Sequence, residues 1–157
     1  MLVVYTDGGS SSKGGGVGGC AAIVLSEGGG VVELSESFEG PQVTNNTMEL
    51  AAVLLGLYYV IEHPELGREV TVVSDSEYVV KGASGWLAKW KTNNWKTGTG
   101  AVKNYPLWQA VDELNGLLDV KWQWVRGHTG ARWNERADEL ATTAYTELLT
   151  NRGIAVR

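Results

Sequence analysis

Between Met1 and Glu39 the chain carries three strand-length apolar patterns joined by Gly-rich connections, and this arrangement restricts the fold more than any other feature. Met1 to Asp7 is apolar on both faces, as in a central strand. Cys20 to Leu25 forms the second run. In the third, Val32, Leu34 and Phe38 alternate with Glu33, Ser35, Ser37 and Glu39, so one face meets solvent. Gly8 to Gly19 reads as a flexible turn and Glu27 to Gly30 as a tight one. Such connections favour antiparallel pairing, because a parallel return needs a crossover, usually a helix.

After Glu39 the period changes. Thr47 to Glu62 reads as a helix with Met48, Ala51, Ala52, Leu55 and Tyr59 on one stripe. Asn46 and Glu49 resemble a capping box at its start. Val70 to Val73 is a fourth strand, and Ser74-Asp75-Ser76-Glu77 caps a helical stretch from Tyr78 to Lys91 with an expected break at Gly82 to Gly85. Thr92 to Val102 reads as an exposed polar excursion. Asn104 and Pro106 open a helix that buries Leu107, Val111, Leu114 and Leu118. Val120, Trp122 and Trp124 alternate with Lys121 and Gln123 in a fifth strand, with Trp108, Trp122 and Trp124 expected in the core. A loop from Arg126 to Trp133 leads to a last helix, Asn134 to Leu149, with Ala137, Leu140, Ala141, Ala144 and Leu148 inward.

The expected architecture is one α/β domain over residues 1–150: a five-stranded mixed sheet, its first three strands antiparallel, flanked by helices. Residues 151–157 are expected to fray. A chain of 157 residues suits a single domain. No apolar run approaches the roughly 20 residues of a membrane span, and the N-terminus lacks a secretory pattern. The single Cys20 has no internal disulfide partner. A cytoplasmic monomer is the expectation.

The net charge of −5 argues against a general polyanion binder, yet the charges are uneven. From Tyr78 to Val111 stand Lys81, Lys89, Lys91, Lys96 and Lys103 with no acid, interleaved with Trp86, Trp90, Trp95 and Trp108. A basic, aromatic segment of this kind suits contact with nucleic acid; a solvated Lys face over core Trp is the alternative.

Four carboxylates lie where strands end or helices run: Asp7, Glu49, Asp75 and Asp138. Each alone has an ordinary use as a cap or a surface acid. Converging on one point, they would repel, raise one another's pKa and favour divalent cations. Oxygen donors suit hard ions such as Mg²⁺ and Mn²⁺, and paired ions serve phosphodiester hydrolysis.

Five segments, in order, carry a resemblance: Thr6-Asp7-Gly8; Thr44-Asn45-Asn46-Thr47-Met48-Glu49-Leu50; Ser74-Asp75-Ser76 with Tyr78-Val79; Trp122-Gln123-Trp124-Val125-Arg126-Gly127-His128-Thr129-Gly130; and Asn134-Glu135-Arg136-Ala137-Asp138-Glu139-Leu140-Ala141. Together they resemble ribonuclease H type 1 of the bacterial kind over about residues 2–148, and the Lys–Trp segment around Gly85 to Trp95 resembles its basic protrusion. The resemblance implies cleavage of the RNA strand of RNA/DNA hybrids, leaving a 5′-phosphate and a 3′-hydroxyl. It implies Asp7, Glu49, Asp75 and Asp138 as ligands of two Mg²⁺ ions, with Mn²⁺ an acceptable substitute, Asp7 bridging both. His128 would act as a mobile proton carrier beside Asp138. Thr44, Asn45 and Asn46 would meet the hybrid backbone, Trp86 a deoxyribose, and Lys89, Lys91 and Lys96 phosphates. Glu77, Trp90 and Trp95 would complete the contact surface, while Glu49 would also test a 2′-hydroxyl.

Three departures stand out, one of them the bulk of Ala131-Arg132-Trp133 in the loop after His128. Gly9 to Gly16 lacks the Asn-Pro-Gly pattern common in the family, and Glu77 stands where many members carry Gln. Other readings are a catalytically silent hybrid-binding module and a ribonuclease H domain of a reverse transcriptase. Met1 abutting the first strand favours a stand-alone enzyme, and the retained carboxylates favour an active one.

Overall fold

The structure, a computed structural model, describes residues 1–127 and 131–155. Strands β1 (Leu2–Ser11), β2 (Val17–Leu25) and β3 (Val31–Glu39) pair antiparallel in sequence order. Helix α1 (Asn45–Glu62) carries the chain to β4 (Glu69–Ser74), which pairs parallel with β1. Next come α2 (Glu77–Lys81), a π-helical stretch Gly82–Trp86 and α3 (Leu87–Thr92). A small ribbon, β5 (Lys96–Thr97) with β6 (Gly100–Ala101), precedes α4 (Tyr105–Leu117). Strand β7 (Asp119–Trp124) then pairs parallel with β4, and α5 (Arg132–Asn151) ends the fold. The main sheet is therefore five-stranded and mixed, as expected from the sequence, and its order is β3-β2-β1-β4-β7.

Helix α1 covers one face of the sheet together with α4, and α5 covers the other. Leu50, Val53, Leu57 and Val60 of α1 pack on Val4, Val24 and Val72 in the main core, with Trp108, Val111 and Leu114 from α4. The expected α1 stripe is displaced by about one position. Ala51, Leu55 and Tyr59 are only half-buried, because the sheet receives the neighbouring stripe. On α5, likewise, Ala137 and Ala141 are buried but Leu140, Ala144 and Leu148 are half-buried.

The expected flexible turn from Gly8 to Gly19 is mostly paired strand. β1 runs through to Ser11 and β2 resumes at Val17, so that Gly8 faces Cys20 and Gly9 faces Gly19. The glycines serve helix approach rather than turning. A Cβ on Gly8 would collide with the α1 backbone at Met48 and Glu49, and one on Gly19 with the carbonyl oxygen of Ala141 in α5. The turn itself is confined to residues 12–16, where Gly14, Gly15 and Gly16 take positive φ.

Helix α1 starts two residues earlier than expected. Thr44 and Thr47 form its capping box, with Thr44 Oγ1 accepting from the Thr47 N–H at 3.1 Å and Thr47 Oγ1 accepting from the Thr44 N–H at 2.8 Å. Asn46 and Glu49 do not form the cap, which leaves Glu49 free to point elsewhere. Asn104 occupies the cap position of α4 but does not cap it: its Nδ2 donates to the Tyr78 hydroxyl at 3.2 Å. The expected break at Gly82–Gly85 is a π-helical bulge, where the Trp108 ring occupies the space a Gly82 side chain would need. In the expected exposed excursion, Val102 is buried and Trp95 half-buried against the core. Among the described residues expected to fray, Arg152 and Ile154 make defined bonds. Ile154 N–H donates to Leu149 O at 2.9 Å, Arg152 Nη1 to Gly14 O at 2.9 Å, and Arg152 also pairs with Glu39. No helix among the described residues is long and apolar enough to cross a membrane.

Candidate active site

Parallel pairing sets the first two acids side by side. Thr6 of β1 faces Ser74 of β4, so Asp7, still within β1, and Asp75, just past the end of β4, stand one step beyond. Asp7 lies within β1 rather than at its end, 5% exposed, and its Oδ1 accepts from the Gly8 N–H at 3.0 Å. Gly8 also admits the third acid: without a Cβ there, the α1 backbone settles on β1 and brings Glu49 in, 9% exposed. One carboxylate oxygen each of Asp7, Glu49 and Asp75 lies within 4.8 Å of the others. Asp138, half-buried on α5, approaches from the opposite layer to within hydrogen-bonding reach of Asp7.

The electrostatic consequence is large. Burial, then Asp75 and Asp138, pushes the Asp7 carboxyl up to about 8, although the Gly8 N–H opposes the shift. Glu49 is raised well above the usual carboxylate range, first by burial and then by Asp7 and Asp75. Among the described residues its buried Oε1 has no hydrogen-bond partner. Buried carboxylates crowded together, one with an orphaned oxygen, are poorly satisfied by protein alone and well satisfied by a divalent cation. The all-oxygen donor set suits hard cations, so the residues fit the metal implied by the sequence.

Two neighbours that the sequence did not single out shape this cluster. Trp124, expected in the core, is 42% exposed, and its Nε1 donates to the backbone carbonyl oxygen of Asp75 at 3.1 Å. Its alternation with Trp122 was legible, but not that β7 runs past its cover there. Gly127 passes so close that a Cβ would lie 2.8 Å from Asp75 Oδ2; the Gly-His pair was the available signal. His128 itself lies outside the described residues.

The remaining expected contacts divide into two groups. Thr44 and Asn45 line an open polar pocket of about 420 Å³ with Ser10, whose hydroxyl donates to Asn45 Oδ1 at 2.7 Å. Asn46 is exposed beside them. On the other side, exposed Trp86 leads an aromatic column into the core: its ring centroid lies 6.0 Å from Trp90, and that of Trp90 5.3 Å from Trp108. The Tyr78 hydroxyl, accepting from Trp108 Nε1 at 2.8 Å, anchors the base of the column. Trp90 and Trp95 are half-buried supports within this packing. Lys89 and Lys96 are exposed, while Lys91 pairs with Asp112 at 3.3 Å. Glu77 pairs with Lys81 at 3.0 Å.

The chain matches the RNase H family over residues 1–146. It is 44% identical over 142 residues to the Ribonuclease H of Ruegeria pomeroyi, covering 89% of each chain. To the Ribonuclease H of Methylorubrum extorquens it is 46% identical over 109 residues, which make up 69% of this chain and only 46% of that longer protein. Among solved structures, LC9-RNase H1, a type 1 RNase H with the type 2 active-site motif, superposes with a TM-score of 0.79 at 32% identity. The match covers 93% of this chain and 72% of that one. The sheet order, the acids it draws together and the match along nearly the whole length agree: this chain belongs to the RNase H family.

Proposed function

We propose that the protein is a divalent-metal-dependent endonuclease that hydrolyses the RNA strand of RNA/DNA hybrids, leaving 5′-phosphate and 3′-hydroxyl ends. The observation that carries this reading is the convergence of Asp7, Glu49 and Asp75 from β1, α1 and the end of β4, with Asp138 of α5 near enough to raise the Asp7 carboxyl, in a chain of the RNase H family. Asp7, Glu49, Asp75 and Asp138 would hold two ions, Mg²⁺ in the first instance and Mn²⁺ as a substitute. Ions held there supply Lewis-acid activation of water and neutralise charge gathering on the phosphate.

The protein's own groups perform the rest. Asp7, buried and backed by the Gly8 N–H, fixes the centre of the cluster. Glu49 completes it and reads the 2′-hydroxyl that distinguishes the RNA strand. His128 carries a proton to or from the scissile region. Thr44, Asn45 and Asn46 meet the backbone on one flank. Trp86 packs on a deoxyribose on the other, held by Trp90 and Tyr78 beside it, with Trp90 and Trp95 completing the contact surface, while Lys89 and Lys96 contact phosphates. Lys91 shares its charge with Asp112, and Glu77 with Lys81, which tempers a carboxylate near nucleic acid. The enzyme acts as a cytoplasmic monomer.

The test is cleavage of end-labelled hybrid beside single-stranded RNA, RNA duplex and DNA duplex, with Mg²⁺ or EDTA. Mg²⁺-dependent cutting confined to the RNA strand of the hybrid is the expected result. Hybrid binding without cutting would replace this reading with a silent binding module. Calorimetric Mg²⁺ titration of the wild type and of Asp7→Asn tests the ligand assignment without relying on activity.

A further inference from the structure

Away from the acids, between β3 and the second half of α1, lies an apolar groove of about 490 Å³. Leu34 and Phe38 form its strand wall, and Leu54, Leu55, Tyr58 and Tyr59 its helix wall. These side chains are half-buried, apart from Tyr58, which is 44% exposed. Helix α1 thus carries two apolar stripes, one spent on the sheet and one left open. Among the described residues lining the groove, the charged ones are Glu36 and Glu62, one on each wall.

The strand wall is also a free sheet edge. β3 bonds to β2 on one side and ends the sheet order on the other. It is a regular run of nine residues containing no proline. An unpaired edge of this kind accepts an added strand, and alternate residues of that strand then fall on one face. On the α1 side they would lie over the groove.

We propose that this edge and groove dock an extended segment of a partner protein that carries apolar and basic residues together on one face, at alternate positions. The added strand pairs with β3, its apolar side chains fill the groove, and its Lys or Arg groups meet Glu36 and Glu62. The carboxylates select this occupant. They repel nucleic acid and acidic segments, and a second copy of this chain would bring a further net charge of −5. The inference is independent of the nuclease reading.

The probe is a synthetic peptide as long as β3, with leucine and lysine sharing its odd positions and threonine at its even ones. Its controls are the same peptide with glutamate in place of lysine, and a peptide of the same composition with the lysines moved to even positions, facing away from the groove. Amide shift mapping on the full chain is expected to show perturbations along β3 and the second half of α1 with the Leu–Lys peptide alone. Combined Glu36→Lys and Glu62→Lys changes, both at exposed positions, are expected to weaken binding at least about tenfold while hybrid cleavage is unchanged. Added salt should weaken binding to the wild type. Equal binding of all three peptides, perturbations elsewhere, or indifference to both charge reversal and salt would overturn the proposal. So would concentration-dependent self-association through the same residues, which would assign the groove to a second copy.

Discussion

The indole Nε1 of Trp124 donates to the backbone carbonyl oxygen of Asp75 at 3.1 Å, tying the end of β7 to the acid just beyond β4. Asp75 stands off the end of its strand, where ladder bonds no longer hold it. The Trp124 bond, together with the Val125 N–H donating to Ser74 O at 3.0 Å, extends the register by one step. We expect Trp124→Phe, which keeps the ring and loses the donor, to weaken Mg²⁺ binding by about threefold to tenfold, matching the loss of one hydrogen bond of about 1 kcal/mol. Because the ring is 42% exposed, Tm should fall by only a few degrees. Calorimetric Mg²⁺ titration beside a melting curve checks both; unchanged Mg²⁺ binding would reduce the bond to a structural detail.

Asp7→Asn should abolish nearly all cleavage and yet stabilise the protein in EDTA. The substitution removes an acid that burial and its neighbours oppose in charged form. A gain of about 1–2 kcal/mol, roughly 2–8 °C, is expected. A lower Tm in EDTA would show that the cluster is not repulsive.

The same crowding implies a pH dependence. The folded protein holds the Asp7 proton up to about pH 8, whereas the ordinary value is 3.8. The folded state therefore binds the extra proton between those values. This group's contribution is fully present below about pH 4 and is lost as pH rises through about 8. Glu49, raised for the same reasons, acts in the same direction. Melting in EDTA across that interval should show Tm declining more steeply with pH in the wild type than in Asp7→Asn, and Mg²⁺ should flatten the wild-type decline. Parallel curves for the two proteins would dismiss Asp7 as the source.

Gly8→Ala tests how Glu49 reaches the site. A Cβ at this position meets the backbone of Met48 and Glu49, which cannot swing aside as a side chain tip can. Overpacking against backbone should cost about 3 kcal/mol, and cleavage should fall further than stability as α1 lifts from β1. Wild-type activity and Tm together would mean that α1 is free to shift without consequence for Glu49.

Combined Lys89→Ala and Lys96→Ala should weaken hybrid binding and lower the slope of log affinity against log salt by roughly 2, about one per lost phosphate contact. Lys91→Ala should change the slope less, since Lys91 already pairs with Asp112. Affinity measured over a salt series distinguishes the two; an unaltered slope in the double variant would return the segment to a solvated surface.

Much of this protein was legible in its sequence because the signals were local. Apolar alternation from Val32 to Phe38, the helical period after Thr47 and the motif around each acid identify the strands, the helices and the four carboxylates without reference to neighbours. Tertiary structure decided what the same residues do when two elements meet. Gly8 and Gly19 look like turn residues, since sequence cannot distinguish a glycine that frees the backbone from one that removes a Cβ from a helix's path. Thr44 rather than Asn46 caps α1, because the chain leaving Gly40 and Gln42 fixes where the first turn can begin, with Thr47 Oγ1 also donating to Gln42 O at 3.1 Å. The stripe of Leu55 and Tyr59 reads as core, yet the sheet receives the neighbouring stripe of α1 and leaves this one half-buried along the groove. Trp124 reads as core and instead holds Asp75 from the surface. Periodicity along a chain reports which residues are apolar; which of them find a partner depends on where each layer ends, and that is a property of the assembled fold.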